Sequence, residues 1–160
     1  MQINVTWDTS VLTASVATEL EAGVNYVVNL YDSLFTNPVT INIDVGWGEV
    51  AGQTLASNAL GESITNTSTY SYSQILGALT STANASGDPS QLAAVSTLPQ
   101  SNPTSGSINI ANAEAKALGL ISGTDTAIDG YVGFDASPSI WSFGANVTPA
   151  QSEYYFIGVA

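Results

Sequence analysis

The chain has 160 residues, with 13 Asp and Glu against a single base, Lys116, no His, no Cys and a formal net charge of −12. That balance makes nucleic acid and anionic membrane surfaces poor partners, because both are gripped by Lys and Arg, and the lack of Cys excludes disulfides. At 44 % hydrophobic residues the chain is apolar enough to bury a core as one domain over residues 1–160, yet no run approaches the ~20 apolar residues of a membrane-spanning helix.

Residues 2–7 alternate, with Ile3, Val5 and Trp7 on one face and Gln2, Asn4 and Thr6 on the other, the pattern of a half-buried strand. Asp8, Thr9 and Ser10 offer helix caps. The helical period of Leu12, Val16, Leu20, Val24 and Val27 then predicts a helix over 10–30 that covers a sheet. Asn37-Pro38 stops any extension through Tyr31, Leu34 and Phe35. Residues 39–48 alternate again, with Val39, Ile41, Ile43, Val45 and Trp47 on one face. Gly46 and Gly48 flank the Trp and predict a bulge or turn there. Strand, helix and strand in this order imply a parallel pair joined by a crossover.

Residues 51–107 are predicted to be a helical insertion. Within it, Gly61–Asn66 forms a short strand, Thr69 or Ser71 caps a helix carrying Ile75, Leu76 and Leu79, and 83–87 is a loop. Asp88-Pro89 opens a second helix through Leu92, Val95 and Leu98. After an exposed loop, 107–111 reads as a strand. Asn112 is expected to cap a helix over 113–118 that ends at Gly119 and leaves Lys116 exposed. Ile128–Phe134 is the third main strand, and 140–143 another. Thr148 as cap, Pro149 in the first turn and Glu153 near the helix dipole predict a helix over 149–160. That helix is apolar on most sides, the pattern of a buried element, so the expectation is that the natural gene continues beyond Ala160.

Three pieces carry a family resemblance: residues 38–50 (PVTINIDVGWGEV), 129–134 (DGYVGF) and 155–160 (YFIGVA). Together they resemble a family of secreted bacterial zinc metalloprotease-like proteins of zincin type. The resemblance implies an α/β (α+β) fold, a zincin-like N-terminal subdomain with a twisted mixed sheet backed by helices. In that family the last piece runs directly into a His-Glu motif, whose His side chains bind zinc and whose Glu acts as general base. The strand near Trp141 would lie close to the active-site edge, where extended substrates pair with the sheet. Without His or Cys these residues lack the usual zinc ligands. No catalytic residue can be carried over, and no cofactor is expected in this chain.

Other candidates come from the residues themselves. Asp125, Asp129 and Asp135 cluster near turns and are the candidates for calcium, with turn or capping roles as the simpler reading. Trp141, Phe143, Tyr154 and Tyr155 form a candidate substrate-edge or partner surface, and Phe156 is expected in the core. The polar surface must come from Ser, Thr, Asn and Gln, since only 9 % of residues are charged. That composition suits a secreted or cell-surface protein. The functional expectation is therefore the non-catalytic portion of a metalloprotease-like protein. The alternative is an extracellular structural or adhesive module, a surface-layer, filament or adhesin subunit, that self-assembles through its apolar C-terminal helix. Expected partners are a protein or peptide, a second copy included.

Overall fold

The alternation in residues 2–7 and 39–48 builds neighbouring strands. A computed structural model describes residues 1–160. It divides them into two compact units, residues 1–65 with 126–160, and residues 66–125. The fold is α/β, with a mixed sheet backed by helices. No helix is long and apolar enough to cross a membrane.

In the first unit, β1 (Gln2–Trp7), β2 (Thr40–Trp47) and β8 (Gly130–Phe134) run parallel, and β5 (Gly61–Thr65) closes the edge antiparallel, in the order β1-β2-β8-β5. The strand expected at 61–66 is thus part of the main sheet rather than of an insertion. One sheet face carries Val5, Ile43, Val45, Val132 and Phe134. With Leu20 and Val24 they form a core that also takes in Val11, Trp47, Trp141 and Phe156. The other face is polar. Asn4 Nδ2 donates to Asn42 Oδ1 at 3.2 Å, and the Asn42 N–H donates to the Asp129 carboxylate at 2.8 Å.

The single helix expected over 10–30 is in fact two, α1 (Thr9–Leu12) and α2 (Ala17–Leu34). Geometry explains the break. Val11 and Leu20 are both fully buried. On one continuous helix their separation would place them about 180° apart at 3.6 residues per turn. Interrupting the helix at 13–16 lets both face the core. Asp8 caps α1 by accepting the Ser10 N–H at 2.7 Å.

Past Trp47 the chain turns into a hairpin of β3 (Glu49–Val50) and β4 (Gln53–Thr54). Its two turn residues, Ala51 (φ 52°) and Gly52 (φ 75°), are both left-handed, as a two-residue hairpin turn of type I′ requires. The hairpin presses Glu49 onto Gly46 and Gly133, register partners on β2 and β8. A methyl group at Gly133 would strike the Glu49 carbonyl, and one at Gly46 its carboxylate.

The C-terminal segment departs most from expectation. Residues 149–153 are not helical. The Glu153 carboxylate turns back to accept the Ala150 N–H at 3.0 Å. Tyr154–Tyr155 is extended as β10 and pairs in parallel with β9 (Trp141–Ser142), which comes after a 3₁₀ turn at Pro138–Ile140. Only α6 (Phe156–Val159) is helical, and its first ring is wholly buried. Burying Phe156 between sheet and helix while Tyr154 stays outside favours the strand-then-helix arrangement over a helix from Thr148.

In the second unit β6 (Thr67–Tyr70) pairs antiparallel with β7 (Ile108–Ala111). The unit adds α3 (Tyr72–Ser86), α4 (Pro89–Ser96) and α5 (Asn112–Ala117). Ser71 and Gln74 form a reciprocal capping box on α3. This helix runs through the loop expected at 83–87 and ends on Gly87, left-handed at φ 66°. Asp88-Pro89 opens α4 as expected. Asn112 does not cap α5. It is the first helical residue, and its Oδ1 accepts from Ser68 Oγ at 2.7 Å. Lys116, expected on the surface, is 2 % exposed, and its Nζ donates to the Asp125 carbonyl at 3.0 Å. Its long stem lets the residue be buried while the ammonium group reaches a carbonyl.

Candidate functional site

The aromatic group singled out by sequence divides between core and surface. Trp141 is 4 % exposed. Its ring stands edge-on to Phe134 (6.4 Å, 88°) and Phe156 (5.4 Å, 82°), and its Nε1 donates to the Asp135 carbonyl at 2.9 Å. It is therefore a core residue, not a surface one. Phe143 is half-buried between Trp47 (6.5 Å) and Phe156 (4.9 Å). Tyr155 is half-buried and anchors its hydroxyl on the Ala145 carbonyl at 2.6 Å. Tyr154 alone is well exposed, its ring 6.5 Å from Trp141. One edge of β9 is already occupied by β10. Of the four residues, only Tyr154 offers a ring to a partner.

The acids expected to bind calcium are not brought together. Asp129 and Asp135 lie just beyond opposite ends of β8, about 20 Å apart at ~3.3 Å per extended residue. Asp129 is 4 % exposed and spends its carboxylate on the Asn42 N–H. Asp135 Oδ1 accepts the Ser137 N–H at 2.7 Å and fixes a turn. Asp125 belongs to the second unit, where its N–H closes a turn on the Ser122 carbonyl at 3.0 Å. No group of three or more His, Cys, Asp or Glu residues is placed to hold a metal ion.

A different carboxylate group sits where the parallel strands end. Asp44, near the end of β2, has its aspartate pKa raised, first by burial and then by the negative charges of Asp8 and Glu49. Asp8 behaves oppositely. The Ser10 backbone N–H and hydroxyl hold its carboxyl below the usual range. Ser10 Oγ in turn accepts the Trp47 N–H at 2.9 Å, which ties α1 to the end of β2. The carboxyl ends of parallel strands are where α/β sheets commonly place ligand sites. Here the hairpin carrying Glu49 covers that end. In the sequence Asp44 is one more residue of the polar face of β2, and only the fold brings Asp8 and Glu49 near it.

The remaining feature is apolar. Between α2 and the sheet lies a cavity of about 150 Å³, lined among others by Ile3, Val24, Tyr31, Val45, Phe134 and Ala160. Beside it α2 exposes Tyr26, Leu30, Tyr31 and Leu34, the last 64 % exposed, and Phe35, which follows the helix, is exposed as well. Four large apolar side chains on the helix and one just past its end leave an uncovered surface of the kind that marks an interaction site. No protein-family model, curated protein or solved structure matches the chain.

Proposed function

We propose that residues 1–160 form the non-catalytic scaffold of a secreted zinc-metalloprotease-like protein. The observation that supports this reading is the strand order of the sheet together with the helix that begins at Phe156. Three parallel strands, β1, β2 and β8, carry an antiparallel strand, β5, on one edge. C-terminal to them, the segment resembling the lead-in to a His-Glu motif begins a helix at Phe156, packed against α2 and Phe134. In this reading α2 and the sheet position that helix. The imidazole ligands and the general base belong to a His-Glu segment outside these residues, since the chain has no His. The test is the intact mass, zinc content and oligomeric state of the natural protein purified from its source. A species larger than these 160 residues with about one zinc per chain is the expected result. A metal-free species of these 160 residues alone overturns it.

The exposed apolar stripe on α2 favours a second reading, a self-assembling extracellular module such as a surface-layer, filament or adhesin subunit. The surface available for assembly is then α2 rather than the C-terminal helix, because Phe156 of α6 is wholly buried in the core. A metal-free, defined oligomer in the same measurement selects this reading.

A further inference from the structure

We propose that the Asp32 carboxylate of α2 locks the open edge of the main sheet. It holds an outward N–H of β1 that a second copy of the chain would otherwise use to pair strand to strand.

β1 lies at one end of the strand order, with β2 on one side and no strand on the other. The direction of its main-chain groups follows from its bonds to β2 and the residue before it. The Gln2 N–H donates to the Val39 carbonyl at 3.0 Å, and the Asp8 N–H to the Val45 carbonyl at 3.0 Å. Even-numbered residues therefore face β2. Main-chain groups alternate from side to side along a strand, so Ile3, Val5 and Trp7 turn theirs outward. The outward Ile3 N–H is already taken. It donates to the two Asp32 oxygens, at 3.1 Å and 3.4 Å.

Helix stability does not explain an acid at that position. Asp32 sits in the last turn of α2, and no base accompanies it there. This is the negative end of the helix dipole, where a carboxylate is unfavourable. What Asp32 gains is the charge-assisted bond to Ile3.

The strand kept out is β1 of a second copy. β1 reads Gln-Ile-Asn-Val-Thr-Trp, a strand-forming segment without a charge, in a chain whose net charge is −12. Nothing on the strand itself repels its copy. Laid antiparallel about Val5, two such strands match: Val5 meets Val5, and Ile3 meets Trp7 of the second copy. The Ile3 N–H would then donate to that Trp7 carbonyl, which has to stand where Asp32 now stands. With Asp32 in place the donor is spent, and the incoming carbonyl meets a carboxylate. An unpaired edge strand is a template for another chain, and a charge turned in against it is one way of closing it.

The test is sedimentation equilibrium of Asp32→Ala beside the parent chain and Glu19→Ala. Glu19 is exposed in the first turn of α2, so its loss changes the net charge equally at the far end of the helix from Asp32. Asp32→Ala is expected to self-associate about tenfold more tightly than the parent, or more, while Glu19→Ala matches the parent. The chain has no Cys, so introduced thiols report the register. Asn4 and Thr6 are exposed on either side of Val5, and in the antiparallel pair Asn4 of one copy faces Thr6 of the other. In the Asp32→Ala background, an Asn4→Cys chain mixed with a Thr6→Cys chain should oxidise to the mixed disulfide in preference to either self-disulfide. A folded Asp32→Ala chain that associates no more than the parent overturns the proposal. So does equal association of Glu19→Ala, which assigns the effect to net charge, and association without the mixed disulfide, which assigns it to the apolar stripe on α2. Hydrogen exchange of the parent tests the lock even if Asp32→Ala does not fold. The Ile3 amide is expected to exchange about tenfold more slowly than the Val5 amide, and equal rates overturn it.

Discussion

Asp44 shows how one side chain records its surroundings. Its neighbours in register are Thr6 and Tyr131, and the charges facing it are Asp8 and Glu49. A raised pKa means that the folded chain holds the proton more tightly than the unfolded one. The contribution of Asp44 to stability is therefore complete below its ordinary value of 3.8 and is lost as pH rises through the folded value. Asp44→Asn is expected to raise the Tm at neutral pH, with the gain disappearing below pH 3.8. A Tm that falls at neutral pH would show that the carboxylate is stabilised by contacts of its own. Asp8 has the opposite sign, its contribution being present above 3.8 and lost as pH falls through its lowered folded value. Gly133→Ala is expected to cost about 1–3 kcal/mol in chemical denaturation, because the added methyl meets backbone rather than a mobile side chain. Little at this scale is legible in the chain's letters. Lys116 sits in an Ala-rich helix, which says that the helix forms but not which side is covered. Asp129 looks like a turn residue until its carboxylate is found on the Asn42 N–H.

Elements were legible in proportion to the strength of their period. β1 and β2 can be read from alternation, because a strand with one buried face must write that face at every second residue. The start of α3, narrowed to Thr69 or Ser71, and the Asp-Pro start of α4 are equally local; the structure assigns the first to the capping box of Ser71 and Gln74. Removing the first with Ser71→Ala is expected to cost about 1 kcal/mol. Glycines separate the two helices further. Gly77 lies in mid-α3 with open space where a Cβ would go, so Gly77→Ala is expected to stabilise by up to about 1 kcal/mol. Gly23→Ala in α2 is expected to destabilise by about 1–3 kcal/mol and to loosen α6, since the Phe156 ring has nowhere to go. Paired melts of these variants check both signs. What failed was whatever depends on distant packing. The break in the first helix is set by the need to bury both Val11 and Leu20. The Thr-Pro start near 148 is a genuine local signal that lost to Phe156 entering the core. β6, Thr-Ser-Thr-Tyr, carries no apolar alternation and exists because β7 pairs with it.

For the whole molecule, the fold class was readable from the order of its elements, whereas the cavity under α2 was not, because its lining, from Ile3 through Val45 to Phe134 and Ala160, is drawn from residues far apart in sequence. The charge imbalance has its own expected effect. With 13 acids and one base, self-repulsion opposes compaction. The Tm should climb as NaCl is raised from low levels to about 0.1 M, where the screening length shrinks to about 10 Å. A flat profile would mean that the acids are already too far apart to matter. The position of Lys116 has a further consequence. Trypsin cuts after Lys or Arg, and this chain offers one such bond, between Lys116 and Ala117, behind a side chain that is 2 % exposed. The folded protein is thus almost invisible to that protease, and any cut yields only two fragments, 1–116 and 117–160. The rate of that one scission is a stopwatch on the opening of α5, readable on a gel without a label.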